Sequence, residues 1–368
     1  MQVNSLLPGT PKHEIATPAL LIDQEMMLHN IQQMATLGQK MNIAIRPHTK
    51  THKCPQIARL QIAAGAVGIC SATLGEAEVM AAYGIEDILI TRMVIGKAKI
   101  SRLIALSRQI RLAVVTDSLY NAQELAKYAA AEQTKLNVLI ELNVGNDRCG
   151  VEPASPTLLE IAKFIDNDAW LVFSGLQGYA GHTPLIMDAD QQKSETAIAD
   201  AKGVSSKDFL EKAGIKVPVL TGGASGTATM TGRAGYSELQ TGSYVTMDSE
   251  YSKVCGDVFQ PALTMLATVI SKPSPNWVII DAGGKSLSVD HGSAVLKGYP
   301  QYRYHFVGDE YGKIEALNGS PVEFEIGDQV ELYPSHGCTT VNLHDLLYII
   351  RNNQLEAVWP VASRGRVD

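Results

Sequence analysis

The stretch RLAVVTDSLYNAQELAKYAAAEQTKLNVLIEL, Arg111–Leu142, decides the fold. Its ends, Arg111 to Val115 and Leu136 to Leu142, are β-branched and aliphatic runs of strand length. The apolar residues between them recur every three or four positions, as they do on a helix. Strand, helix and strand within ~30 residues make one βαβ unit with parallel strands.

The same rhythm extends to both sides. Ala19 to Ile22, Asn42 to Ile45, Ala66 to Cys70 and Asp87 to Ile90 read as earlier strands, with helices over Gln24 to Gln39 and near Pro55 to Ala64. Met27, Ile31 and Met34 share one stripe of the first helix, and a proline suits the first turn of the second. Leu171 to Leu176 and Val217 to Leu220 follow. Eight strands alternating with helices in about 230 residues match a closed parallel barrel better than a doubly wound open sheet. After residue 248 the texture changes. Pro261 to Ile270, Trp277 to Ile280, Tyr302 to Val307, Val322 to Phe324, Val330 to Tyr333 and Leu346 to Ile350 are short apolar runs separated by Gly, Pro, Asn and Asp, with no helical pattern among them. The expected architecture is a (β/α)8 barrel over residues 18–247 and a mainly antiparallel β domain built from 248–368 together with 1–17.

The chain of 368 residues has 31 Lys+Arg against 38 Asp+Glu, a formal net charge of −7, and is 45% hydrophobic and 19% charged. Those fractions belong to a globular protein and exclude a disordered or fibrous one. Without a long basic run there is no electrostatic footprint for nucleic acid or an anionic membrane, so small molecules and copies of itself are the expected partners. The cysteines Cys54, Cys70, Cys149, Cys255 and Cys338 are odd in number and scattered, which argues for a reducing compartment. The opening residues lack the basic and apolar regions of a signal peptide, and no apolar stretch approaches the ~18 residues that span a bilayer. The expected location is the cytoplasm.

In a βα barrel, chemistry gathers at the C-terminal ends of the strands. The second strand ends in Arg46-Pro47-His48-Thr49-Lys50-Thr51-His52-Lys53. This block reads as two metal ligands, His48 and His52, as a Schiff-base lysine, or as a solvated basic turn. The sixth ends in Glu141-Leu142-Asn143-Val144-Gly145-Asn146-Asp147-Arg148, whose turn residues present Arg148 either to an anionic or aromatic ligand or to solvent. Tyr179 and His182 follow the next strand, the first able to stack on a planar cofactor and the second to carry protons near neutral pH. Thr221-Gly222-Gly223-Ala224-Ser225-Gly226-Thr227 exposes backbone N–H groups and hydroxyls that suit a phosphate, and Gln240-Thr241-Gly242-Ser243-Tyr244 is a second small-residue turn. In Pro334-Ser335-His336-Gly337-Cys338, an i, i+2 pair on an extended segment would turn His336 and Cys338 to one face, where they grip a divalent ion or pack as a turn histidine and a buried thiol.

Together these segments, in this order from Thr17-Pro18-Ala19-Leu20 to Val341-Asn342-Leu343-His344-Asp345, resemble the metal-activated, pyridoxal-phosphate-dependent D-threonine aldolases and the related D-serine dehydratases, which share the fold type III barrel of alanine racemase. The resemblance implies that Lys50 carries the cofactor, with Arg148 and Tyr179 beside its ring. It further implies a phosphate cup of Ser225, Gly226, Thr227, Gly242 and Ser243, metal ligands His336 and Cys338, and His182 as the base on the substrate hydroxyl. The implied activity is a carbon–carbon lyase of D-amino acid metabolism that cleaves D-threonine-like β-hydroxy-α-amino acids to glycine and an aldehyde, in a homodimer. A D-serine or 3-hydroxy-D-aspartate dehydratase is the alternative and an amino-acid racemase a further one. Aldolases often carry aspartate where Cys338 stands, and thiolate favours zinc whereas carboxylate favours manganese or magnesium. Manganese and zinc are therefore the expected metals, with magnesium and cobalt behind them.

Overall fold

In the computed structural model, which describes residues 6–368, the first apolar run, β1 (Ala19–Asp23), does not enter the barrel. It pairs antiparallel with Leu263–Leu266 and parallel with Tyr348–Ile350, at the centre of the other sheet. Four of its residues are buried, as a central strand of either sheet requires, so hydrophobicity did not show which sheet it joins.

The barrel strands are β2 (Ala44–Ile45), β3 (Ile69–Ser71), β4 (Asp87–Ile90), β5 (Arg111–Thr116), β6 (Leu136–Glu141), β7 (Leu171–Gly178), β8 (Leu220–Gly222) and β9 (Glu238–Leu239). All pair in parallel, in the order β2-β9-β8-β7-β6-β5-β4-β3. The ring closes where His48, just past β2, bridges Cys70 of β3, and where the Cys70 N–H donates to the Pro47 carbonyl at 2.8 Å. Helices α1 (Gln24–Met41), α2 (Pro55–Ala63), α3 (Leu74–Ala82), α4 (Lys97–Ser107), α5 (Leu119–Ala131), α6 (Pro156–Asn167), α7 (Ala189–Lys212) and α8 (Ala228–Thr231) alternate with the strands. Thr73, Ser118 and Ser155 cap α3, α5 and α6, each side chain accepting the N–H of the residue three further on. Each such cap contributes ~1 kcal/mol and fixes where a strand-to-helix turn ends.

The eighth strand of the ring is thus β9, which the sequence does not advertise. It is two residues long and one of them is a glutamate. Glu238 is buried because Arg46 reaches it at 2.9 Å and the Thr221 hydroxyl donates to it at 2.9 Å. Arg46 also contacts Asp87 at the start of β4, at 2.6 Å. The guanidinium therefore ties strands on both sides of the ring's closure, and these carboxylates push its pKa up. Removing one partner of a buried pair strands the other charge, so Arg46→Ala should lose about 3–5 kcal/mol of stability. Urea unfolding checks this; an unchanged midpoint would assign Arg46 no bracing role.

The second unit comprises the chain up to Gln32, Thr51–Cys54 and Ser243–Arg364. Besides β1 it contains β10 (Leu263–Ser274), β11 (Trp277–Ile280), β12 (Val295–Leu296), β13 (Tyr302–Phe306), β14 (Gly312–Ala316), β15 (Gln329–Tyr333), β16 (Leu346–Arg351) and β17 (Gln354–Pro360). The order is β13-β14-β11-β10-β1-β16-β17, with β15 pairing β10 and β12. Every pairing is antiparallel except β1 with β16. Of the expected N-terminal stretch, residues 1–5 lie outside the described residues; beyond them Gly9 donates to Leu355 and Lys12 meets Glu331 at 2.5 Å.

Val322–Phe324, expected as a strand, forms none. Its apolar side chains are buried by contact instead, Phe324 lying 5.0 Å from the rings of both Tyr299 and Tyr302. Two helices, α9 (Ser249–Cys255) and α10 (Gly337–Val341), also interrupt the β unit. No helix among the described residues is long and apolar enough to cross a membrane.

Candidate active site

The barrel's C-terminal strand ends carry the site. Lys50 lies in the one-turn helix Thr49–Thr51 that follows β2, and its Nζ stands 5.5 Å from the centre of the Tyr179 ring. Tyr179 comes directly after β7, and the Arg148 guanidinium, from the loop after β6, sits 5.7 Å from the same ring. One aromatic ring thus gathers two basic side chains, as its quadrupole favours. Lys50, Arg148 and Tyr179 line a cleft of about 330 Å³, as do His48, Thr91, Arg92, Met93, Gln177 and Gln240.

His48 is placed by a hydrogen bond between its Nε2 and the Thr91 hydroxyl, at 3.0 Å. His52 instead turns inward and accepts the Cys54 N–H at 3.1 Å, so the two histidines of the block are not a metal pair. Arg46, four residues before Lys50, belongs to the brace between strands rather than to the cleft.

Beneath the cleft runs a polar chain that the sequence reading missed. The Gln240 amide donates to Gln177 at 2.8 Å, and Gln177 donates to Glu141. Glu141 is 2% exposed, and burial pushes its carboxyl up to about 8, against the lowering contributions of Gln177 and Arg148. A folded-state pKa above the unfolded one contributes stability below the unfolded value and loses it as pH rises through the folded value. Stability should therefore fall between pH about 4.5 and about 8, and fall less in Glu141→Gln, which keeps an acceptor for Gln177. Melting curves across that range read the difference; parallel pH profiles for the two proteins would contradict it.

Ser225, Gly226 and Thr227 form a one-turn helix after β8, closed by the Ala224 N–H donating to the Thr227 hydroxyl at 3.2 Å. At Gly226 a Cβ would stand 2.3 Å from the Pro184 carbonyl, so only glycine fits. Thr241, beyond β9 and next to Gly242, is fully buried, yet its hydroxyl finds no hydrogen-bond partner among the described residues. Ser243 opens the following turn and is also buried. His182 is exposed, close to Gly145 in the loop after β6, and does not line the cleft.

The metal motif departs from the expected geometry. His336 and Cys338 are not on a strand: His336 is the N-cap of α10 and Cys338 its second residue. The helix start still brings them together, because the two side chains are hydrogen-bonded, and that bond, with Asp290, pushes His336 up to about 9. Asp248 fixes this corner by accepting the Gly337 N–H at 2.9 Å while capping α9 through Tyr251.

Among the described residues one group of three is placed to hold a cation: Asp290, His291 and His336, with their ligand atoms within 4.8 Å of one another. The two imidazoles stack at 4.1 Å, and His336 Nδ1 is 2.7 Å from Asp290. Asp290 is held by Ser288, His336 and Thr339 and stays ionised down to about pH 2. The sequence signal for Asp290 and His291 was available, an adjacent Asp-His pair ahead of Gly292, but it lay in a stretch read as a turn between strands. The Cys338 thiol donates at 3.3 Å to the hydroxyl of Thr51, the residue that follows Lys50 in the chain.

Comparison with known proteins agrees with this architecture. The alanine racemase N-terminal domain family matches residues 22–250, and a serine dehydratase domain matches 262–350. D-threonine aldolase of Arthrobacter sp. is 34% identical over 97% of this chain and 95% of its own length. 3-Hydroxy-D-aspartate aldolase of Paracoccus denitrificans is 33% identical over 98% and 95%. D-threo-3-hydroxyaspartate dehydratase of Delftia sp. is 30% identical over 88% and 91%. The crystal structure of D-threonine aldolase from Filomicrobium marinum superposes with a TM-score of 0.94 at 34% identity, covering 98% of this chain and 99% of that one. Barrel and site therefore define an alanine-racemase-like enzyme of fold type III. Within that class the chain belongs to the D-threonine aldolase family, whose dehydratases are relatives.

Membership implies pyridoxal phosphate and a divalent metal. The residues present fit both. The buried hydroxyl of Thr241, without a partner among the described residues, and the Gly226 turn, where only glycine fits, suit a phosphate, and a lysine beside an aromatic ring suits the pyridine end. Two imidazoles and a carboxylate, with a thiol next to them, suit a divalent transition ion.

Proposed function

We propose that the protein is a pyridoxal-phosphate- and metal-dependent lyase that cleaves D-threonine and similar D-β-hydroxy-α-amino acids to glycine and an aldehyde. The observation that carries this reading is full-length likeness to D-threonine aldolases at 34% identity, with Lys50, Arg148 and Tyr179 gathered in one cleft.

In this reading Lys50 holds the cofactor, Arg148 and Tyr179 flank its ring, and Ser225, Gly226, Thr227, Gly242 and Ser243 hold its phosphate. His336 and Cys338, joined by Asp290 and His291, hold manganese or zinc. Bound pyridoxal phosphate supplies an electron sink for the pair released when the Cα–Cβ bond breaks, and the divalent ion supplies a Lewis acid for the β-hydroxyl. The chain's own residues do the rest. The Lys50 amine would be the proton carrier beside Cα. His48, held at Thr91, orients that turn through the Lys50 N–H, which it accepts at 3.4 Å. Gln177 and Gln240 fix the floor, and burial of the Glu141 carboxyl favours its neutral form over a negative charge there. His182, exposed beside the loop after β6 and outside the lining of the cleft, takes the hydroxyl proton by way of water.

Dehydration is the second reading, favoured by the cysteine at position 338 and by the full-length dehydratase relative. Purified, metal-reconstituted protein given D-threonine and D-serine separates the two: aldehyde and glycine support the lyase reading, whereas ammonia and an oxo acid support the dehydratase. We place the enzyme in the cytoplasm as a homodimer, which fractionation and sedimentation test.

A further inference from the structure

The cleft beside Lys50 is lined by three basic side chains, Lys50, Arg92 and Arg148, and by no carboxylate. Two of them are accounted for by the reading above, Lys50 by the cofactor and Arg148 by the Tyr179 ring. Arg92 is not. It lies two residues beyond β4, at the C-terminal strand end where barrel enzymes place specificity groups, between Thr91, which fixes His48, and Met93. Among the described residues its one hydrogen bond is from Nη2 to the Val367 carbonyl at 3.3 Å, near Asp368, which leaves the other donors of this exposed side chain without a hydrogen-bond partner there. The backbone beneath it is held, since the Thr91 N–H donates to Ser71 at 3.0 Å. A guanidinium tethered at one corner and open at the others is pre-organised for a planar anion, and pairing with a carboxylate is the use to which its geometry is best suited.

We infer that Arg92 is a specificity-determining residue that selects β-hydroxy-α-amino acids whose side chain ends in a second carboxylate. The inference rests on the lyase reading above and deepens it: the chemistry at Cα and Cβ is unchanged, and Arg92 binds the far end of the substrate. D-threonine ends in a methyl group there and leaves the guanidinium facing water, so the two substrates differ by one charge-assisted contact.

The test compares kcat/KM for 3-hydroxy-D-aspartate and D-threonine in the metal-reconstituted holoenzyme and in its Arg92→Gln and Arg92→Lys variants. Wild type should favour the dicarboxylate. The preference ratio should fall about 10- to 100-fold in Arg92→Gln, as expected for losing a hydrogen bond to a charged group, mainly through KM. Arg92→Lys should recover part of the ratio. KM for the dicarboxylate should also rise with salt more steeply than KM for D-threonine. Equal losses on both substrates would make Arg92 a structural or α-carboxylate contact and overturn the inference, as would a wild-type enzyme that cleaves D-threonine and ignores the dicarboxylate. The lyase reading survives either of those results. Turnover of neither substrate removes both.

Discussion

Lys50→Ala loses turnover together with the visible absorbance of bound pyridoxal phosphate. No other side chain among those lining the cleft can take over both tasks. Among the residues lining the cleft Lys50 alone carries a primary amine, and His48 is committed to Thr91 and to the Lys50 N–H. The proton role of a positioned general base alone contributes about 10²–10⁴-fold, and the loss of cofactor anchoring adds to that. The fold should survive, because Lys50 is half-buried in a one-turn helix and its Nζ, among the described residues, makes no ion pair and stands over the Tyr179 ring. Absorbance spectra and an aldehyde assay on the purified variant decide the matter; a variant that kept both signals would remove Lys50 from the centre of the site.

His336→Ala, or chelation of the wild type, removes turnover and leaves the absorbance. The cleft around Lys50 is built from barrel residues alone, whereas His336, His291 and Asp290 belong to the β unit. His336 is the hub of that group, stacked on His291, bonded to Asp290 and hydrogen-bonded to Cys338, so its loss removes the side chain that joins the other three. A Lewis-acid ion contributes several kcal/mol of charge stabilisation, which corresponds to roughly 10²–10³-fold in kcat/KM. Restoring manganese or zinc should revive the chelated wild type but not the variant. Full turnover after chelation would exclude a catalytic ion.

The parts of this molecule legible in the sequence are those in which local pattern and global placement coincide. The βαβ unit at Arg111–Leu142 was legible because its strands are long, aliphatic and bounded by helical periodicity. The strand order was not, because Ala19–Asp23 and Glu238–Leu239 carry no mark of the sheet they join. The first is apolar enough for either sheet, and the second is a strand only because Arg46, distant in sequence, neutralises Glu238. The same division holds for the site. Lys50, Arg148 and Tyr179 were found as polar residues after strands, and the structure brings them to one ring. Glu141, Gln177 and Gln240 were missed because a buried polar chain is defined by partners from three different strand ends. His336 and Cys338 were paired by the wrong periodicity, a strand's in place of a helix start, and Asp290 and His291 were missed because 44 residues lie between His291 and His336 in the sequence.

The central claim is that the bond broken is Cα–Cβ, and proton NMR of D-threonine turnover in deuterium oxide tests it most directly. A retro-aldol cleavage takes one solvent deuteron at Cα, so the predicted products are glycine carrying a single deuterium and acetaldehyde in equal amounts. Formation of 2-oxobutanoate deuterated at C3, with ammonia and without glycine, would contradict the account and establish the dehydratase.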